Sequence, residues 1–191
     1  MLALCYSSRG LNTISGLNIA NTLYNVFSVV FIALGSAISI IVGQLLGAGK
    51  FEEAKKTDAK LIFFAVMSCT ALAFVLAGFA PFFPKLYNTT AEAKLIAMHF
   101  LFAQAIFLPV TAFMNASYFT LRSGGKTIIT LVFDSFFMWC LSVPVAFLIS
   151  RFTGIDAVYI FVAVQCVEIV KCIVGFILVK KGIWIHNIVK E

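Results

Sequence analysis

The chain has 191 residues, of which 62% are apolar and 12% charged, with a mean hydropathy of +1.04 and a formal net charge of +6. Soluble domains average roughly 45–50% apolar and about 25% charged residues. A water-soluble domain is therefore excluded, because a chain of this size could not bury so much apolar surface, and an integral membrane protein is implied.

A spanning helix needs about 20 mainly apolar residues. The opening "MLALCYSSRG" has neither a positive leading region nor a cleavage site, so it does not read as a secretory signal. It reads as the last turns of an earlier helix, which makes Met1 an internal start or a truncation. The first complete span is expected over 23–46, led by a more polar stretch, 11–22. The second is 59–80, stopped by Pro81 and Pro84. The third is 93–121, opened by Thr89-Thr90-Ala91-Glu92 as a capping box. The fourth and fifth are 128–149 and 155–179. Short connections make consecutive helices antiparallel neighbours. The expected fold is thus an all-α polytopic transmembrane bundle of about five complete spanning helices, forming a single domain over 1–191.

Lysine and arginine collect on the cytoplasmic side of membrane proteins. Lys50, Lys55, Lys56, Lys60, Arg122, Lys126, Lys180, Lys181 and Lys190 fall on one side of the predicted bundle. Arg9, Lys85, Lys94 and Arg151 fall on the other, and Lys171 lies within the membrane. This asymmetry puts the C-terminus in the cytoplasm and, with five crossings, the N-terminus outside.

Polar residues in spanning helices face other helices or a watery cavity. Asn18, Asn21, Asn25 and Ser28 continue into Gly35, Ser39 and Gly43 in helical register, and Ser39, Gly43 and Gly47 form a ladder of small residues that permits close helix approach. The third helix carries Gln104, Thr111, Asn115, Tyr118 and Arg122 on one stripe, with Pro109 expected to bend it. Each stripe is either a tight packing face or a substrate-facing surface, and one stripe can be both. Asn21, Asn25, Gln104, Thr111 and Asn115 are the candidate cavity-lining residues. Asp134 lies within the fourth helix, and Glu168 and Lys171 share a face of the fifth with Gln165. A paired Glu168 and Lys171 would fix neighbouring helices, whereas an ionisable group that changes state would couple transport to a cation. Asp134 and Glu168 are the ion-coupling candidates.

Cys5, Cys69, Cys140, Cys166 and Cys172 are scattered, with no C-x-x-C pair, and read as small packing residues. His99 and His186 lack ligand-spaced partners and read as interfacial side chains. Gly49-Lys50 and Gly125-Lys126-Thr127 imitate the end of a phosphate-binding loop. Yet Gln44 and Thr120 stand where its first glycine belongs, and both stretches follow membrane helices rather than strands. No nucleotide site, enzyme activity, bound cofactor or metal, or nucleic-acid partner is expected.

The same stretches carry a family resemblance. "IVGQLLGAGKFEEAKK" resembles the G-Q-x-x-G-A-G segment that closes a helix in multidrug and toxic compound extrusion (MATE) transporters, here Gly43, Gln44, Gly47 and Gly49. "LRSGGKT" resembles that family's L-R-x-G-G loop, here Arg122, Gly124 and Gly125. "FDSFFMWCLSVPVAFLI" is similar to its aspartate, tryptophan and proline helix, and the basic ending with Trp184 resembles the close of its last helix. The resemblance implies twelve helices in two lobes, of which this chain is the C-terminal lobe without the N-terminal lobe and most of the preceding helix. It further implies efflux of small organic, often cationic, compounds across a bacterial plasma membrane, exchanged for Na+ or H+. The coupling acid would lie in the absent part, or Asp134 or Glu168 would substitute. Other readings are a half-transporter that needs a partner chain and a small membrane scaffold that oligomerises through its glycine ladder.

Overall fold

The computed structural model describes residues 10–125, 130, 135–152 and 155–185, and every regular element among them is helical. In chain order these are α1 (Leu11–Gly47), α2 (Phe51–Phe79), a short 3-10 turn (Phe83–Leu86) and α3 (Ala91–Ser123). A π-helical segment (Met138–Ser142) then leads into α4 (Val143–Phe152), followed by α5 (Ala157–Lys180). Four of them, α1, α2, α3 and α5, are long and apolar enough to cross a membrane. The predicted fourth span falls partly outside the described residues; its described part, Met138–Arg151, is apolar but shorter.

The polar stretch 11–22 is not a separate lead-in, because α1 runs unbroken for 37 residues. At about 1.5 Å per residue that is roughly 55 Å, well beyond the ~30 Å hydrocarbon core of a bilayer. Helix α2 likewise begins eight residues before the expected 59, at Phe51. Proline explains the break in the fourth helix. Pro144 has no N–H to offer the carbonyl four residues back and its ring crowds that carbonyl. The helix widens just upstream, where the Val143 N–H bonds to the Met138 carbonyl. Pro109, by contrast, sits inside an uninterrupted α3.

The core is built on α1 and α3, which run parallel. Leu17, Ala20 and Leu23 meet Phe100, Leu101 and Ala105 near one end, joined by Ile160 of α5. Ile38, Val42 and Leu46 meet Ala116 and Leu121 near the other, joined by Trp184. Two glycines of α1 set the approach. A Cβ on Gly16 would lie 2.9 Å from Ile96 Cγ2 and 3.0 Å from the Ala93 carbonyl oxygen, and the Phe119 ring fills the space beside Gly35. Such contact through small residues is how membrane helices gain packing without a hydrophobic driving force. At the α3 start, Thr90 caps the helix by accepting from the Ala93 N–H at 3.2 Å. The expected capping box is not completed: the Glu92 carboxylate accepts from Asn12 Nδ2 of α1 at 2.6 Å instead.

Three helices end alike at the lysine-rich end of the bundle. Gly49, Gly125 and Gly182 all adopt positive φ, at 74°, 74° and 66°. After α1, the Gly49 N–H bonds to the Leu46 carbonyl and the Lys50 N–H to the Leu45 carbonyl, each at 3.0 Å. That paired closure satisfies the last carbonyls of the helix and needs a left-handed residue, which glycine supplies without strain. Large apolar side chains such as Phe63, Phe64, Phe74, Phe176 and Ile177 cover the outside of α2 and α5.

Candidate functional site

The polar residues of α1 and α3 divide between a bridge and a cavity. Gln104 is buried, and its Nε2 donates to Asn21 Oδ1 at 3.0 Å, tying α3 to α1. Gln104 Oε1 is buried with no hydrogen-bond partner among the described residues. About two turns further along α3, Thr111, Asn115 and Tyr118 line a cavity of about 340 Å³ with Ile32 of α1 and Lys171 of α5. The Thr111 hydroxyl donates to the Phe107 carbonyl at 3.1 Å, closing on its own helix.

Asn25 does not join this cavity. It is exposed, as is Asn18, and the predicted α1 stripe does not form one face: Gly35 is buried against α3, whereas a Cβ on Gly43 would meet nothing within 4 Å. At Gly43 the ladder therefore makes no close contact among the described residues, and Gln44 and Gly47 beside it are exposed.

Glu168 and Lys171 face different neighbours. The Ser142 hydroxyl in the π-helical segment donates to Glu168 Oε1 at 2.9 Å, which fastens α5 to the widened turn before α4. Lys171 is buried at 8% exposure and lines the cavity against α3. Asp134, Lys126, Thr127 and His186 lie outside the described residues. Cys69 is a packing residue beside Phe31 and Leu108, as expected, but Cys140 and Cys166 are exposed on the apolar outside.

A buried acid just outside the predicted second span is Asp58. It sits about two turns into α2, is only 2% exposed, and its Oδ1 accepts from the Thr120 hydroxyl of α3 at 2.6 Å. Thr120 Oγ1 also lies 3.0 Å from the Ala116 carbonyl. One hydroxyl proton thus faces two acceptors, the Asp58 carboxylate and the Ala116 carbonyl. The signal was available: Ala54, Asp58, Ile62, Ala65 and Cys69 form one buried row at steps of three and four, with the lysines off that row.

The family-like motifs meet at the lysine-rich end. Gly124 packs against the chain at Trp184, where a Cβ would lie 2.7 Å from the Trp184 Cα. The indole is 2% exposed, and its N–H donates to the Val179 carbonyl at 3.1 Å. The glycine pair after α3 and the tryptophan after α5 are two halves of one joint. Arg122, in the last turn of α3, is exposed beside it. Lys50 Nζ forms an ion pair with Glu53 Oε2 at 3.2 Å.

A bundle of membrane-length apolar helices around a polar cavity is the architecture of a polytopic integral membrane protein. The profile of the MatE family matches residues 1–148, and the chain belongs to that family. It is 25% identical over 155 residues to the "Probable multidrug resistance protein YoeA" of Bacillus subtilis (strain 168), a match covering 80% of this chain and 33% of that protein. Its fold is similar, with a TM-score of 0.87 at 12% identity, to a structure titled "Reverse polarity of binding pocket suggests different function of a MOP superfamily transporter from Pyrococcus furiosus Vc1 (DSM3638)". That likeness covers 99% of this chain and 42% of the other. The chain thus spans about a third of the curated relative and about two fifths of the solved one.

Proposed function

We propose that the chain is one lobe of an exporter of small organic compounds that exchanges them for Na+ or H+, with its lysine-rich end in the cytoplasm. The observation that carries this reading is the cavity formed by Thr111, Asn115, Tyr118 and Lys171 between spanning helices of a MatE-family bundle. It offers hydroxyl and amide groups and an amine among the apolar side chains of Ile32, Met114 and Phe119. A few polar groups in an apolar cavity are how transporters orient a solute at mid-membrane. The relative's name, a multidrug resistance protein, agrees with export of varied compounds. A second lobe, from the same polypeptide or a partner chain, would close the other side, and the unpacked row at Gly43 is a suitable face for it.

For the solute, organic cations are the expected class, and Lys171 favours a second reading. Lys171 lines the cavity wall, which makes an anionic solute the alternative class. The test is efflux from vesicles holding the chain with its second lobe, loaded with a cationic dye or with an anionic fluorophore. Gradient-driven loss of the cationic dye supports the first reading, and loss of the anionic one the second. Retention of both, whatever Na+ or H+ gradient is imposed, would sink the antiporter reading.

A further inference from the structure

A second cavity, of about 600 Å³, opens on the lipid-facing side between α2 and α5, away from the polar one. Its walls are Ile62, Phe63 and Val66 on α2 and Phe176 on α5, and Trp184 lies at its lysine-rich end. These helices are of membrane length, and Phe63 and Phe176 are themselves strongly exposed, so the slot opens to the bilayer. An apolar slot of this kind in a spanning bundle admits a hydrocarbon chain. Apolar walls give no preference among lipids, however, because all lipids bring similar chains.

The preference comes from the end of the slot. Lys55 and Lys180 both line it, and Lys56, Lys60 and Lys181 are exposed on the same two segments. Lys180 Nζ stands 5.8 Å from the centre of the Phe176 ring, at the edge of the slot. Lys55 is held at 3.0 Å by Glu52, but both side chains are well exposed, and such surface pairs exchange easily. The acid on the slot, Asp58, is buried and already accepts the Thr120 hydroxyl, so its charge is turned to α3. A phosphate at the membrane surface would find ammonium groups beside the place where its acyl chain enters.

We propose that the slot between α2 and α5 is a binding site for an anionic phospholipid, with one acyl chain against Ile62, Phe63 and Phe176 and the headgroup phosphate held by Lys55 and Lys180. The site is independent of the solute cavity. Juxtamembrane lysines attract anionic lipid strongly enough for two of them to give about a thirtyfold preference over a zwitterionic lipid.

Trp184 is a reporter built into the slot. The chain has two tryptophans, and Trp139 is exposed elsewhere, so Trp139→Phe leaves Trp184 alone. This variant would be reconstituted in phosphatidylcholine vesicles doped with brominated-chain phosphatidylglycerol or, separately, brominated-chain phosphatidylcholine. Half-maximal quenching of Trp184 is expected at about a thirtyfold lower mole fraction of the anionic lipid. Adding Lys55→Gln and Lys180→Gln should make the two lipids equal, and Lys55→Arg with Lys180→Arg should restore the preference. Should the glutamine variant fail to fold, Val66→Trp in a background without other tryptophans supplies a second reporter, which should show the same preference. Equal quenching by the two lipids in the parent, or a preference that survives loss of both lysines, would overturn the proposal. So would absence of quenching by either lipid, the outcome if a second copy of the chain filled the slot.

Discussion

At the scale of single residues, the Asp58–Thr120 contact and the Ser142–Glu168 contact make opposite predictions. Thr120→Val keeps the shape of the side chain but removes the proton offered to Asp58 at 2.6 Å, leaving a buried carboxylate short of that donor. Hydrogen bonds to charged groups contribute roughly 1.5–3 kcal/mol. The valine variant should therefore unfold at clearly lower temperature in detergent, while Thr120→Ser should stay close to the parent; equal melting of all three would refute a stabilising contact. Glu168→Gln is different, because an amide oxygen can still accept from Ser142 at the observed 2.9 Å. If Glu168 is a structural acceptor and coupling lies elsewhere, gradient-driven efflux by the assembled transporter should survive Glu168→Gln and fall with Glu168→Ala. Loss of gradient dependence in the glutamine variant would instead mark Glu168 as the coupling acid.

At the scale of elements, the parallel pair α1 and α3 depends on where glycine is. Gly16→Val places carbon atoms where Ile96 Cγ2 and the Ala93 carbonyl already sit, so the helices must separate or shift. Overpacking of this kind costs about 1–3 kcal/mol, seen as a lowered midpoint of thermal unfolding. Gly43→Ala, with nothing within 4 Å of the new methyl group, should leave that midpoint unchanged. If both variants melt alike, the close approach at Gly16 does not hold the pair. Much of this level was legible beforehand. Long apolar runs fixed the number and order of helices, because only a helix can satisfy its backbone while crossing lipid. The beginning of α2 carries a signal in Glu52 and Glu53, acids placed in a first turn, but the neighbouring lysines hide how far the run continues. The burial of Asp58 on one row with Ala54 and Ile62 shows only in the folded chain. Nor could spacing reveal that Gly124 serves Trp184, since they stand sixty positions apart and only the folded chain brings them so close that a Cβ on Gly124 would lie 2.7 Å from the Trp184 Cα. The stripes of α1 failed for a further reason. A helix of 37 residues meets different neighbours along its length, so a row drawn in register does not keep one function.

At the scale of the whole molecule, the distribution of lysine and the direction of the helices make a single claim about orientation. α1, α3 and α5 all finish at the end that holds Lys50, Arg122 and Lys180, and the connection bearing Lys85 lies at the other. The three left-handed glycines at that end let each chain turn sharply at the membrane surface. Lysines beyond those turns resist being drawn through hydrocarbon, so the orientation adopted during insertion is retained. The prediction is a sidedness measured on intact cells. With the five native cysteines replaced, Lys50→Cys and Lys181→Cys should be shielded from an impermeant maleimide until the cells are opened, and Lys85→Cys should label at once. The reverse pattern would invert the bundle and place the anionic-lipid slot in the outer leaflet. Labelling of all three sites from outside would mean that α2 and α5 do not both cross, and the parallel arrangement of α1 and α3 would then have no membrane to account for it.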